Sequence, residues 1–94
     1  MNKYELLYII SADATEEQRE ALIEKFKNYV EAKNGVVEGI DRWGMKKFAY
    51  EINFKNEGFY VLMNFSAPAD VVNEMNKLMN ITDNIVRQMF VAKD

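Results

Sequence analysis

Cysteine is absent from this 94-residue chain, and so is histidine. Without cysteine there are no disulfides, no thiolate nucleophile and no Cys-based zinc site, which fits a reducing compartment. Without histidine there is no imidazole to act as an acid or base near neutral pH, and no His-dependent triad or facial triad. One proline and four glycines exclude collagen and any Pro/Gly-rich low-complexity tract. No apolar run approaches the roughly 18 residues of a membrane span. The N-terminus has acid as early as Glu5 and no small-residue cleavage site after an apolar stretch, so a cytoplasmic location is expected and no membrane partner. Hydrophobic residues make up 49% of the chain and charged residues 29%, the balance of a water-soluble globular protein. The length suits one domain over residues 1–94, because two would leave each without an adequate core.

The formal charge is −3. Residues 36–65 are neutral, with four bases against four acids, and the segments on either side are acidic. A free-standing, non-specific nucleic-acid binder is normally basic overall. If this chain binds RNA, a small local patch must do it, beside a partner that supplies positive charge.

Residues 3–10 are aromatic and β-branched and read as a strand. Ser11-Ala12-Asp13-Ala14 breaks it. Thr15 and Gln18 have capping-box spacing, and Glu16, Glu17 and Glu20 suit the positive end of a helix. Leu22, Ile23, Phe26, Tyr29 and Val30 form an apolar stripe at helical spacing, and Asn34-Gly35 stops the helix. Val36 to Ile52 reads as extended but is long for one strand, so Gly39 and Gly44 predict a bulge or bend. A turn is expected over 53–58, then a strong, central strand over 59–65. Pro68 fits the first turn of a second helix whose apolar face is Val71, Val72, Met75, Leu78 and Met79. A turn over 82–84 leads to a last strand over 85–91.

The order is βαββαβ. Right-handed crossovers and a hairpin between strands two and three give an α+β, ferredoxin-like split βαβ. Its four-stranded antiparallel sheet carries both helices on one face and leaves the other open. Either Leu6, Tyr8 and Ile10 lie under the helices, with Glu5, Leu7, Ile9, Tyr60, Leu62 and Asn64 on the open face, or the parity is reversed. Both choices leave apolar groups outside, as a protein or RNA partner requires. A moderately apolar open face without a partner is the plainer alternative.

Enzyme readings find little support. Acylphosphatase shares the architecture but needs an anion-cradling loop with Arg after the first strand, and here that loop is acidic. Asp41, Glu51 and Glu57 show no metal spacing. No catalytic residue, metal or cofactor is expected. The RNA-recognition motif also shares the order, but its third-strand signature is matched only at Gly58 and Phe59. The segment that stands out is 41–52. It holds the only Trp, Trp43, and the bases Arg42, Lys46 and Lys47 among Phe48 and Tyr50. One reading is a phosphate-contacting edge with a stacking aromatic. The other is a sheet edge defended against pairing by lysines and a bulge. Arg87, between apolar neighbours in the last strand, is either a partner contact or a solvated charge.

The chain resembles the bacterial small-subunit ribosomal protein six family along essentially its whole length. Met1-Asn2-Lys3-Tyr4-Glu5 is similar to the family's opening Met-x-x-Tyr-Glu. Trp43 to Ile52 resembles its W/L-G-x-R/K-x-L-A-Y-P-I, with Phe48 for Leu and Glu51 for Pro. Gly58–Phe65 and Ile81–Arg87 fit its third strand and its turn into the last strand. Asn2 stands where many members have Arg, so a phosphate contact there is lost or moved to Lys3. The resemblance implies a structural protein of the small subunit that acts in translation. It implies binding to the central domain of small-subunit ribosomal RNA together with small-subunit ribosomal protein eighteen. Lys3, Arg42, Lys46, Lys47 and Arg87 are then expected at phosphates, with Tyr4, Trp43 and Tyr50 at or near the contact. A monomer is expected outside the ribosome, with no small-molecule substrate. The alternative is a small-molecule-sensing or protein-interaction module that dimerises through its open sheet.

Overall fold

The structure is a computed structural model that describes residues 1–52 and 55–93, with side chains described over 1–47 and 57–93. The elements run β1 (Asn2–Ser11), α1 (Glu16–Ala32), β2 (Val36–Ile52), β3 (Lys55–Ala67), α2 (Ala69–Asn80) and β4 (Ile85–Lys93). The strands form one sheet in the order β2-β3-β1-β4. Every pairing is antiparallel. This is the split βαβ arrangement, with β1 and β3 in the middle.

The core lies between one face of the sheet and both helices. Leu6, Tyr8 and Ile10 from β1 and Val61, Met63 and Phe65 from β3 meet Ile23, Phe26 and Val30 from α1 and Val71, Met75 and Met79 from α2. The strand residues alternate at period two and the helix residues recur at three and four, so each element turns one face inward. Full burial of one such side chain contributes about 1.5–3 kcal/mol. Tyr8 meets Phe26 edge-on, with ring centroids 5.6 Å apart. This parity leaves Glu5, Leu7, Ile9, Tyr60, Leu62 and Asn64 on the open face, the first of the two arrangements above.

Local chemistry sets the element ends. The Thr15 hydroxyl accepts from the Gln18 amide at 3.1 Å, and the Gln18 side chain accepts from the Thr15 amide at 2.8 Å. This closes the capping box that the spacing predicts. At the far end of α1 the left-handed residue is Asn34, with φ 67°. Gly35 serves a different need. A Cβ there would lie 2.6 Å from Val30 Cγ1 and 2.8 Å from the Ser66 carbonyl oxygen, so the chain crosses tightly from helix to sheet.

Two boundaries differ from the sequence expectation. Pro68 precedes α2 in an extended conformation, φ −61° and ψ 150°, and caps the helix instead of occupying its first turn. Most of the turn expected over 53–58 is strand: β3 begins at Lys55, and Gly58 pairs with both Ser11 and Lys46. Pairing with β2, joined at Gly58 by β1, outweighs the turn propensity of Lys55-Asn56-Glu57-Gly58. The long β2 is interrupted as Gly39 and Gly44 suggest. Its register against β3 shifts between Val37 and Gly39, between Arg42 and Gly44, and between Lys47 and Ile52. Gly44 takes φ 91°, a value that L side chains rarely adopt.

Candidate functional site

The open face of the sheet is built in rows, because hydrogen-bonded neighbours stand opposite one another. One row runs Gly44, Tyr60, Ile9, Arg87 across all four strands. The next runs Asp41, Leu62, Leu7, Met89. The third runs Gly39, Asn64, Glu5, Val91. The face therefore changes character along the strands. Aromatic and cationic groups gather at the Arg87 end, apolar groups fill the middle, and a Glu5–Lys93 ion pair at 3.6 Å lies toward the other end.

The bulge at Gly44 creates the aromatic end. It inserts Trp43 between the pairs Arg42–Val61 and Gly44–Tyr60, and the indole falls on Tyr60. The two rings lie 6.4 Å apart and only 6° from parallel, and Trp43 remains 44% exposed. Lys46 Nζ sits 6.0 Å from the Trp43 ring centroid, within cation–π range. On the other side of Tyr60, an open concavity of about 370 Å³ is lined by Leu7, Ile9, Tyr60, Arg87 and Met89. Two cations thus flank an aromatic and aliphatic surface, an arrangement that can take a phosphate at either end and a flat or apolar group between.

The sequence-predicted residues divide among three places. Trp43 and Lys46 come together on the open face, and Arg87 shares the same end of that face from the opposite edge strand. Lys3 shares that face but stands opposite Lys93, six residues along β1 from the Arg87 row and so about 20 Å away. Lys47 follows Lys46 on the pleat, points to the helix side and lies across from Glu57. Tyr4 belongs to the core: it is 9% exposed, its ring lies 5.6 Å from that of Phe65, and its hydroxyl accepts from Asn2 Nδ2 at 3.2 Å. Period-two alternation puts it under the helices with Leu6 and Tyr8. The Tyr50 side chain lies outside the described residues.

Arg42 is also turned away from the open face. Its Nε and Nη2 donate to the two carboxylate oxygens of Glu20 on α1, at 3.0 and 2.8 Å. The hydrogen bond from Arg42 holds the Glu20 carboxyl below its usual range, and the same bond raises Arg42. Burial drives the Tyr8 hydroxyl well above the ordinary phenol range, and that hydroxyl has no hydrogen-bond partner. Sequence reasoning missed two participants. Tyr60 was legible as an open-face residue, but only the bulge sets it against Trp43. Glu20 is 22 positions from Arg42, and no local pattern links them. Among the described residues no group of three or more acidic side chains could hold a metal ion. No described helix is long and apolar enough to cross a membrane.

Residues 3–92 match the family profile of ribosomal protein S6. The chain belongs to the ribosomal protein S6 family. Small ribosomal subunit protein bS6 of Alkaliphilus oremlandii is 47% identical over 91 residues, covering 97% of this chain and 96% of that protein. Its counterpart in Caldanaerobacter subterraneus is 43% identical over 94 residues, 100% of this chain and 99% of that one. The crystal structure of 30S ribosomal protein S6 from Thermotoga maritima superposes with a TM-score of 0.92 at 33% identity, covering 98% of this chain and 87% of that one. The fold of this chain is thus that of the S6 structure over nearly its whole described length. The bulge at Gly44 and the Arg87 row are positions on an S6 scaffold.

Proposed function

We propose that this chain is a structural, non-catalytic constituent of the small ribosomal subunit, working in the cytoplasm in translation. It binds the central domain of small-subunit ribosomal RNA cooperatively with small-subunit ribosomal protein eighteen. The observation that carries this reading is the full-length match to ribosomal protein S6, whose relatives are small-subunit proteins. The geometry is compatible with it. Lys46 and Arg87 offer two phosphate contacts at one end of the open face, and Trp43 and Tyr60 offer a flat surface between them. Lys3 supplies a third cation further along the same face. The apolar middle, with Leu7, Leu62 and Met89, suits a protein neighbour better than a polyanion. A net charge of −3 makes such a neighbour necessary, because few contacts must overcome overall repulsion.

The test is a titration of the full chain against a central-domain fragment of small-subunit ribosomal RNA, with and without protein eighteen. Tight binding only with the partner present is the expected result. Three phosphate contacts give a slope of roughly −2 to −3 in log K against log salt. Absence of binding in both conditions overturns the reading. A stable homodimer by light scattering, with a ligand-dependent melting shift, would instead favour a small-molecule-sensing module built on the open sheet.

A further inference from the structure

We propose that Glu20 masks Arg42 in the free protein, and that an RNA phosphate displaces the carboxylate when the chain binds. This inference rests on the ribosomal RNA reading above. The Nε–Nη2 edge of a guanidinium is the edge that fits carboxylate and phosphate alike, with two parallel donors. In Arg42 that edge is fully taken by Glu20. Both side chains remain about half exposed, 45% for Arg42 and 48% for Glu20, so the pair is screened by water and weak enough to exchange.

The position of Arg42 makes exchange geometrically simple. It stands on β2, one of the two outer strands of the sheet, so no further strand blocks a swing of its long side chain around that edge. Its neighbour in sequence, Trp43, already lies on the open face, and the irregularity between Arg42 and Gly44 is where the strand changes sides. Released from Glu20, Arg42 would join Lys46 beside Trp43, at the end of the face already rich in cations. In the masked arrangement Arg42 lines a groove of about 340 Å³ between α1 and β2, together with Glu24, Lys27 and Glu38. Masking would also lower the affinity expected without a partner, because the carboxylate cancels one of the three bases in the 42–47 run until a phosphate offers a better acceptor.

The experiment compares wild type, Glu20→Gln, Arg42→Ala and the double variant against the same RNA fragment with protein eighteen, over a range of salt. Glu31→Gln, which removes the same charge further along α1, is the control for net charge. Glu20→Gln is expected to bind about two- to five-fold more tightly than Glu31→Gln and to steepen the salt slope by up to about 0.9. Arg42→Ala should weaken binding, and Glu20→Gln should give no added gain in that background. The Arg42 Nε–H resonance should move when RNA is added. Equal affinities for Glu20→Gln and Glu31→Gln overturn the proposal, as does a gain that persists without Arg42. Wild-type binding with an unmoved Arg42 resonance overturns the mask and leaves the RNA reading standing. Absence of binding by every variant overturns both.

Discussion

Trp43 and Tyr60 lie nearly parallel across the β2–β3 pair, 6.4 Å between ring centroids, and Trp43 is the one tryptophan in the chain. Its emission therefore reports directly on this contact. Tyr60→Ala should shift Trp43 emission to the red as water replaces the ring. A double-mutant cycle with Trp43→Ala should give a coupling of about 0.5–1.5 kcal/mol in urea unfolding, as for other aromatic pairs. Zero coupling would mean that the rings touch without stabilising the hairpin.

Lys46 and Lys47 are adjacent in sequence but lie on opposite sides of the sheet. Replacing Lys46 with Ala should lower affinity for the ribosomal RNA fragment and flatten the salt slope by about 0.9, with little change in melting temperature. Replacing Lys47 should leave the slope nearly unchanged. Equal losses from the two variants would show that the pleat does not sort these charges. Arg87→Ala is expected to behave as Lys46→Ala does.

Gly35 and Gly39 are both glycines near the start of β2, yet their surroundings differ. A methyl at Gly35 would meet Val30 Cγ1 and the Ser66 and Val30 carbonyl oxygens, all under 3.0 Å, and backbone cannot move aside as a flexible side chain can. Gly35→Ala should therefore destabilise the fold by about 1–3 kcal/mol. Gly39 has no heavy atom within 4 Å of the same test position. Gly39→Ala should be neutral, or stabilising by up to about 1 kcal/mol through a less flexible unfolded chain. Chemical denaturation of the two variants decides the matter, and similar losses would contradict the packing described for Gly35.

The Glu20–Arg42 pair predicts a direction for acid unfolding. The folded-state carboxyl titrates below its ordinary value of 4.5 because Arg42 hydrogen-bonds it. A depressed folded value means that the stabilisation is present above the unfolded value and is lost as pH falls through the folded one. Wild type should therefore lose more stability than Arg42→Ala on acidification below pH 4.5. Both groups are about half exposed, so the difference should stay within about 1 kcal/mol and shrink in high salt. Parallel pH curves for the two proteins would show that the pair contributes nothing to stability.

Much of the fold is legible in the residues themselves. The Thr15–Gln18 box, the apolar stripe from Leu22 to Val30 and the alternation in β1 and β3 are local patterns with periods of 3.6 and 2. Each fixes an element without knowledge of the rest. Gly39 and Gly44 likewise announce a break in β2. The ends of β3 and the place of Pro68 were less legible, because neighbouring strands extend a ladder past residues that favour turns when alone.

The element order, the open face of a four-stranded sheet, the absence of His and Cys chemistry, and a basic, aromatic stretch beginning at Arg42 are all readable from the residues in order. How that stretch is divided between the two faces depends on packing. Local spacing says which residues alternate, but a bulge resets the alternation, and its phase depends on pairing with β3. That phase sends Trp43 and Lys46 to one side and Arg42 to the other, where α1 happens to present Glu20. Pairing of β1 with both β3 and β4 likewise brings Arg87 into line with Tyr60 through Ile9, across 27 positions of sequence. Side-chain partners across sheets and between layers are set by packing of the whole chain, which no short window of sequence contains.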